Sequence, residues 1–130
     1  MTGILEANAL GRLVNPRNPL DVTPMAPDRV YEDAVRVLLE SDEVDAIVVG
    51  LVPLTAALKT VPGEIEDEDS VVSRLGRLFA EADKPMIVVV DSGPRYVPLV
   101  QALRLAGVPV FPSADQAIRS LGRYLCHAIA

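Results

Sequence analysis

The chain has 130 residues, a length that fits one domain with a hydrophobic core of ordinary size. Half of its residues are hydrophobic but only 4% are aromatic, so an aliphatic core is expected. The formal net charge of −6 and the lack of a basic run argue against a nucleic-acid partner. Cys126 is the single cysteine, so no internal disulfide can form. No apolar stretch approaches the ~20 residues of a membrane span, and no secretory segment is present, so we expect a cytoplasmic protein without a membrane partner.

The beginning of the chain is interpreted as a connector. Residues 1–17 contain short apolar stretches interrupted by a glycine and an Asn-Pro pair, and we interpret them as the remnant of a linker from a preceding domain. The domain itself is predicted over residues 18–130. It opens with residues 18–22, a predicted short strand, because Pro19 biases the residue before it toward an extended conformation.

Helices and buried strands then alternate. Apolar residues at helical spacing predict a helix over residues 28–41. Strands are predicted at about residues 45–51 and 86–90, and their apolar runs at residues 47–49 and 86–90 do not alternate with polar residues, which is typical of parallel strands covered on both faces. Between them, an acidic run at residues 64–69 precedes a second helical stripe that begins at Val71. Carboxylates there favour the positive end of the helix dipole, so we interpret the run as a solvated helix start and not as a metal site.

The last third of the chain continues this alternation. A helix is predicted over residues 94–106, followed by a short strand at residues 108–111, where Pro109 indicates an edge position. Ser113 and Gln116 form a capping box that opens the last helix. Together, these elements predict an α/β domain with a flavodoxin-like, doubly wound open sheet of about four parallel strands and helices on both faces.

The candidate ligand site is the pair of loops that follow the two long strands. The carboxyl ends of parallel strands form the ligand edge of such a sheet, where helix N-termini present N–H groups to anions. The two loops are residues 50–55 and 91–95, and Arg95 is the only cation in them. A short helical turn is predicted at residues 53–59. The candidate phosphate-binding residues are Gly50, Pro53, Leu54, Thr55, Ser92, Gly93 and Arg95. The same residue types also make ordinary strand-to-helix connections, and both interpretations stay open.

The sequence does not indicate a nucleotide-binding, catalytic or metal site. The sequence contains neither G-x-G-x-x-G nor G-x-x-x-x-G-K-[ST], so no complete nucleotide-binding site of either type is expected. No cofactor is expected to bind this chain. His127 is the only histidine and is interpreted as a helix-end residue, not a ligand or base. Cys126 is expected to be a buried or half-buried small residue and not a nucleophile. No catalytic residue and no metal site are predicted.

Several stretches resemble one domain of the NDP-forming acyl-CoA synthetases, relatives of succinyl-CoA synthetase. Residues 18–23 resemble the motif N-P-x-D-x-T that opens this domain, and the motif positions are Asn18, Pro19, Asp21 and Thr23. The family's order continues in residues 42–49, 84–90, 106–111 and 113–117. The match covers about residue 16 to the end, and the domain resembled is the flavodoxin-like ligase-CoA domain.

The resemblance implies a role in a larger enzyme. Such synthetases make an acyl-CoA from an acid, CoA and ATP through an acyl phosphate and a phosphorylated histidine. The resemblance implies that ATP with Mg, CoA and the histidine belong to an ATP-grasp domain, a CoA-binding domain and a phosphohistidine domain, which would be the partners of this chain. In succinyl-CoA synthetase the corresponding domain offers a helix N-terminus to the phosphate on the histidine. By position, residues 50–55 match that element, without the paired glycines found there.

The isolated chain is therefore expected to be inactive. It would contribute a helix N-terminus and an interdomain surface to phosphate handling in an acid–CoA ligase, and a homodimer stays open. The alternative is a free-standing flavodoxin-like binding or regulatory domain that holds a small anionic ligand at the same edge of the sheet.

Overall fold

The structure is a computed structural model that describes residues 18–129. Four helices occur in this part of the chain: α1 (Asp28–Glu40), α2 (Val71–Glu81), α3 (Val97–Leu105) and α4 (Ala114–Ile129). The three strands are β1 (Ile47–Leu51), β2 (Met86–Val90) and β3 (Val110–Phe111), and a 3₁₀ turn at Pro94–Tyr96 precedes α3. The linker expected at residues 1–17 lies outside the described residues.

The strands form one parallel sheet in the order β1-β2-β3. The register pairs Val49 with Val88 and Val88 with Val110, so β2 lies in the middle. Within the described residues β3 is an edge strand, as Pro109 indicated. The predicted open parallel sheet flanked by helices is confirmed, although residues 18–129 contribute three strands and not about four.

Helices cover the two faces of the sheet unequally. α1, α2 and α3 pack on one face, where Leu75 and Leu103 join Val88 in the larger core. α4 packs on the other face, where Ala117 joins Ile87 and Val89 of β2 in a smaller core. Successive side chains of a strand point to opposite faces, so one strand supplies both cores. None of the helices in the described part of the chain is long and apolar enough to cross a bilayer.

The burial of β1 differs from the sequence expectation. All five side chains of β2 are buried, as a doubly covered strand requires, but β1 alternates between buried and exposed residues. Val48 is 41% exposed although its register partner Ile87 is 7% exposed on the same face. The prediction that β1 is covered on both faces is therefore wrong in this part of the chain. α4 protects the outer face of β2, while β1 lies at the edge of the described sheet.

The predicted first strand at residues 18–22 is also wrong. The N–H of Thr23 donates to Asp21 Oδ1 at 2.8 Å, and Thr23 has a φ of 69°. Short polar side chains that bind nearby backbone groups favour turns over strands. Leu20 and Val22 pack against the beginning of α1, so the segment leads into that helix.

Local side chains define several helix ends. Ser70 caps α2 by accepting the Ser73 N–H at 3.2 Å. The N–H of Gln116 donates to Ser113 Oγ at 3.3 Å, which confirms this half of the predicted capping box. Gly107 ends α3 with a φ of 89°, a conformation that favours glycine.

Candidate functional site

The two candidate loops leave the same edge of the sheet. β1 ends at Leu51 and β2 ends at Val90, and these residues are register partners in adjacent parallel strands. Neighbouring strands lie about 4.8 Å apart. Residues 52–55 and 91–95 therefore begin side by side at the carboxyl edge, where ligands of such sheets bind.

The loop after β1 does not begin with a helix. Residues 52–70 form turns and bends until α2 begins, so the helical turn predicted at residues 53–59 is wrong. Because this turn is not helical, residues 52–70 also lack the helix N-terminus that was expected to bind phosphate. Thr60 accounts for this shape, because its hydroxyl donates to the carbonyl oxygen of Pro53 at 3.1 Å and closes the intervening chain into a loop.

The candidate residues of this first loop differ in accessibility. Gly50 lies within β1, is exposed and has open space above its Cα. Leu54 is 68% exposed, whereas Pro53 is fully buried. The hydroxyl oxygen of Thr55 is covered and has no hydrogen-bond partner among the described residues. An unpaired buried hydroxyl costs roughly 1–3 kcal/mol, so this oxygen would gain from a loop movement that gave it a partner.

The loop after β2 does lead into a helix. Gly93 has a φ of 78°, which favours glycine, and its carbonyl accepts the N–H of Tyr96 at 3.2 Å. Ser92 is half-buried, while Arg95 is exposed. The guanidinium carbon of Arg95 lies 6.0 Å from the centre of the Tyr96 ring, within cation–π range. Among residues 18–129 no carboxylate forms an ion pair with Arg95, so its charge is uncommitted there.

This edge also has a buried acid that the sequence pattern did not predict. Asp28, the first residue of α1, is 6% exposed. Its carboxylate accepts the Lys59 N–H at 3.2 and 3.3 Å and the Val71 N–H at 2.6 Å. One side chain thus connects α1, the loop after β1 and the start of α2. In the sequence, Asp28 is an aspartate that follows Pro27 at the start of a helix. The exposed N-terminus of a helix has the same pattern, so the sequence does not indicate that Asp28 is buried.

A cleft of about 370 Å³ opens at this edge between the start of α1 and residues 56–59. The Lys59 ammonium donates to Asp69 at 2.7 Å and to Asp67 at 3.0 Å. These bonds raise the pKa of Lys59 and lower the pKa of the Asp69 carboxyl. Arg29 and Arg74 also line the cleft and form ion pairs of their own. The cations of the cleft are therefore engaged with carboxylates of the same chain, in contrast to Arg95.

The acidic run at residues 64–69 forms turns directly before α2, and the helix start predicted there is confirmed. Arg74 Nε donates to the carbonyl oxygen of Asp69 at 2.6 Å, and Arg77 donates to that of Glu68 at 2.9 Å. Across residues 18–129, no group of three or more potential metal ligands is suitably arranged for an ion. The run is therefore held in place by side chains of the helix that follows it.

Glu32 joins α1 to α2 beside the cleft. Its carboxylate accepts a hydrogen bond from Arg36 at 2.9 Å and another from Arg74. Burial favours a higher pKa for the Glu32 carboxyl, but the hydrogen bonds and positive charges of the two arginines outweigh burial, so the pKa lies below its usual value.

The cysteine and histidine of α4 stand apart from this edge. His127 is exposed, and its Nδ1 lies 3.1 Å from the carbonyl oxygen of Arg123 in the last turns of the helix, as expected of a helix-end residue. Cys126 is exposed, so its expected burial is wrong. α4 rests on the sheet through Ala117 and Leu121. Ile118 and Tyr124 of the same helix are 60% and 59% exposed.

The chain is similar in sequence to part of one enzyme subunit. Over 107 residues, 81% of its length, the chain is 30% identical to the alpha subunit of acetate–CoA ligase [ADP-forming] I from Pyrococcus furiosus. The chain spans about a fifth of that relative, since the match covers 21% of it. No family model and no solved structure matches the chain. The similarity supports the resemblance seen in the sequence motifs.

Proposed function

We propose that this chain is a domain of an NDP-forming acyl-CoA synthetase that takes part in phosphate handling and is inactive alone. The observation that carries the proposal is the 30% identity to part of an ADP-forming acetate–CoA ligase subunit. That similarity extends over 81% of the chain, so it involves most of the domain and not one short motif.

The loop after β2 is the part of the edge best suited to a phosphate. Arg95 supplies an exposed positive charge that no carboxylate among residues 18–129 neutralises. Gly93 has open space where a side chain would lie, so a phosphate can approach the backbone closely. Backbone N–H groups and one guanidinium can together bind phosphate oxygens.

The loop after β1 is the second part of the proposed site. It lacks the helix N-terminus expected from the resemblance, but the hydroxyl of Thr55 has no partner among the described residues. In the assembled enzyme a shift of this loop would let the hydroxyl bond a phosphate oxygen. A phosphohistidine delivered by a neighbouring domain arrives at high local concentration, so neither loop needs a high affinity for free phosphate.

The remaining reactants are assigned to other parts of the synthetase. An ATP-grasp domain would bind ATP with Mg, a further domain would bind CoA, and a third would carry the histidine. These are the proposed partners of this chain, and the reaction would take place in the cytoplasm. The complete enzyme would convert an acid, CoA and ATP to acyl-CoA, ADP and phosphate, with no catalytic residue from this chain.

A chimeric enzyme tests the proposal. In the alpha subunit from Pyrococcus furiosus, the segment similar to this chain is replaced by the matching part of this chain, and the subunit is assembled with the rest of its enzyme. Assays are run below the melting temperature of this chain. We expect the chimera to form acetyl-CoA from acetate, while a subunit with the segment deleted does not. A chimera that assembles and folds by size and circular dichroism, yet forms no acetyl-CoA, would contradict the proposal.

A further inference from the structure

We propose that Asp28 is a positioning residue for the phosphate-handling edge, a role that rests on the proposed function. Asp28 is far from both candidate loops in sequence, yet its buried carboxylate accepts the backbone N–H of Lys59 at 3.2 and 3.3 Å. Lys59 lies in the same loop as Thr55, four residues further along the chain. The carboxylate therefore holds this loop against the first turn of α1.

A short chain of hydrogen bonds leads from this carboxylate to the candidate residues. Asp28 holds the N–H of Lys59, and the next residue, Thr60, is 3% exposed and donates to the carbonyl oxygen of Pro53 at 3.1 Å. Pro53 is fully buried, so both ends of the segment from 53 to 60 are fixed. Leu54 and Thr55 lie within it, and their position depends on this anchor.

The same carboxylate also fixes the helix that follows the loop. Asp28 accepts the Val71 N–H at 2.6 Å, so residues 59 and 71 share one acceptor. In Asp28→Asn the amide oxygen can accept both N–H groups only from the position of Oδ2, and the NH₂ group then takes the position of Oδ1, 3.3 Å from the Lys59 nitrogen. Two donors face each other there and the negative charge is lost, so the bond to Lys59 weakens and the loop shifts relative to α2.

The experiment uses the active chimera described above, with Asp28→Asn as the test variant and Asp115→Asn as the matched control. Asp115 is likewise an aspartate in the first turn of a helix, but its side chain is 71% exposed. The enzyme is first phosphorylated with ATP, and acetate is then added in a single turnover. In this step the nitrogen–phosphorus bond of the phosphohistidine breaks as a phosphorus–oxygen bond to the acetate carboxylate forms, and the imidazole takes up a proton from solvent, giving acetyl phosphate and neutral histidine.

The amplitude and the rate constant of that turnover report different properties. The amplitude counts correctly folded, phosphorylated enzyme, which a merely structural residue would lower. The rate constant reports the placement of the phosphate, and misplacement on the ångström scale costs on the order of 100-fold. We expect Asp28→Asn to keep most of the amplitude and to lower the rate constant about 10- to 100-fold, with Asp115→Asn unchanged.

Two further variants decide the result if Asp28→Asn does not fold. Thr60→Val cuts the same chain of hydrogen bonds one step later and should also lower the rate constant. Lys59→Ala keeps the backbone N–H that Asp28 holds, so it should lower the rate constant less than Thr60→Val. An unchanged rate constant in a folded Asp28→Asn enzyme, or in Thr60→Val, would overturn the positioning role. Because the parent chimera is active, such a result would leave the proposed function standing.

Discussion

The Oδ2 atom of Asp28 accepts the N–H of Val71 at 2.6 Å across 43 residues of sequence. The first N–H groups of a helix have no acceptor within it, and a carboxylate there also favours the positive end of the dipole. α2 is thus capped both by its own Ser70 and by the first residue of α1. The contact between the two helices depends on one buried carboxylate at the edge where the proposed site lies.

Replacing this carboxylate should destabilise the domain. Asp28→Ala leaves the buried N–H of Val71 and the partly buried N–H of Lys59 without their acceptor, so we expect a loss of about 2–4 kcal/mol in the free energy of unfolding. Urea denaturation at pH 7 measures this loss. The matched Asp115→Ala removes an exposed aspartate paired with Arg119 at 3.3 Å and should change stability by less than about 1 kcal/mol. Equal losses in the two variants would contradict the structural role of Asp28.

The Glu32 carboxylate should make stability depend on pH. Its pKa is lower in the folded than in the unfolded chain, so its stabilising effect is complete above the unfolded value and is lost as the pH falls through the folded value. At pH 7, Glu32→Gln should be about 1–2 kcal/mol less stable than the unchanged protein. That difference should shrink below about pH 4.3, the ordinary glutamate pKa. Urea denaturation from pH 7 to pH 3 measures it, with Glu40→Gln at the exposed end of α1 as the control. A difference that stays constant with pH would argue against the ion-pair network.

Two threonines of the loop after β1 should respond in opposite ways to valine. Thr55→Val removes a covered hydroxyl that has no partner among the described residues, so stability should stay equal or rise by up to about 1 kcal/mol. Thr60→Val removes the bond to the Pro53 carbonyl and should cost about 1–2 kcal/mol. Thermal and urea unfolding of both variants measure the effects. A loss in Thr55→Val as large as that in Thr60→Val would show that the Thr55 hydroxyl is bonded in solution.

Inorganic phosphate should bind weakly at the carboxyl edge of the sheet. One arginine in a protein of net charge −6 should give a dissociation constant in the millimolar range, or about −4 kcal/mol. A phosphate titration followed by ¹⁵N–¹H spectra should shift the amide signals of Gly93 and Arg95, and Arg95→Ala should weaken the binding. Arg119→Ala on α4 is the control. Shifts confined to the cleft beside Lys59 would place the anion elsewhere.

The isolated chain should neither bind ATP tightly nor form acyl-CoA. It has no glycine-rich nucleotide loop, and its single histidine is the exposed His127 near the end of α4. Calorimetric titration with Mg-ATP and an acyl-CoA assay on the 130-residue chain provide the measurements. Stoichiometric ATP binding, or phosphorylation of His127, would contradict this prediction.

The sequence by itself determined the elements whose pattern is local. The stripes that begin at Asp28 and Val71 predicted α1 and α2, and the run of five apolar residues predicted β2. The periodicity of side chains within a helix or strand is set by backbone geometry, so it can be recognised without knowing the neighbours. The position of Arg95 at the carboxyl edge of the sheet was also predicted from the sequence, because parallel strands have their carboxyl ends at the same edge.

Only the tertiary structure decided which residues are buried at that edge. Asp28 resembles an exposed helix-start acid in sequence, but the arrival of Lys59 and Val71 from distant parts of the chain encloses it. Val48 and Ile87 both lie in apolar runs of the sequence. Ile87 is buried in the core that α4 forms with β2, whereas Val48 is 41% exposed. Burial depends on which elements come to lie beside a residue, and those neighbours are set by long-range packing, not by the local pattern.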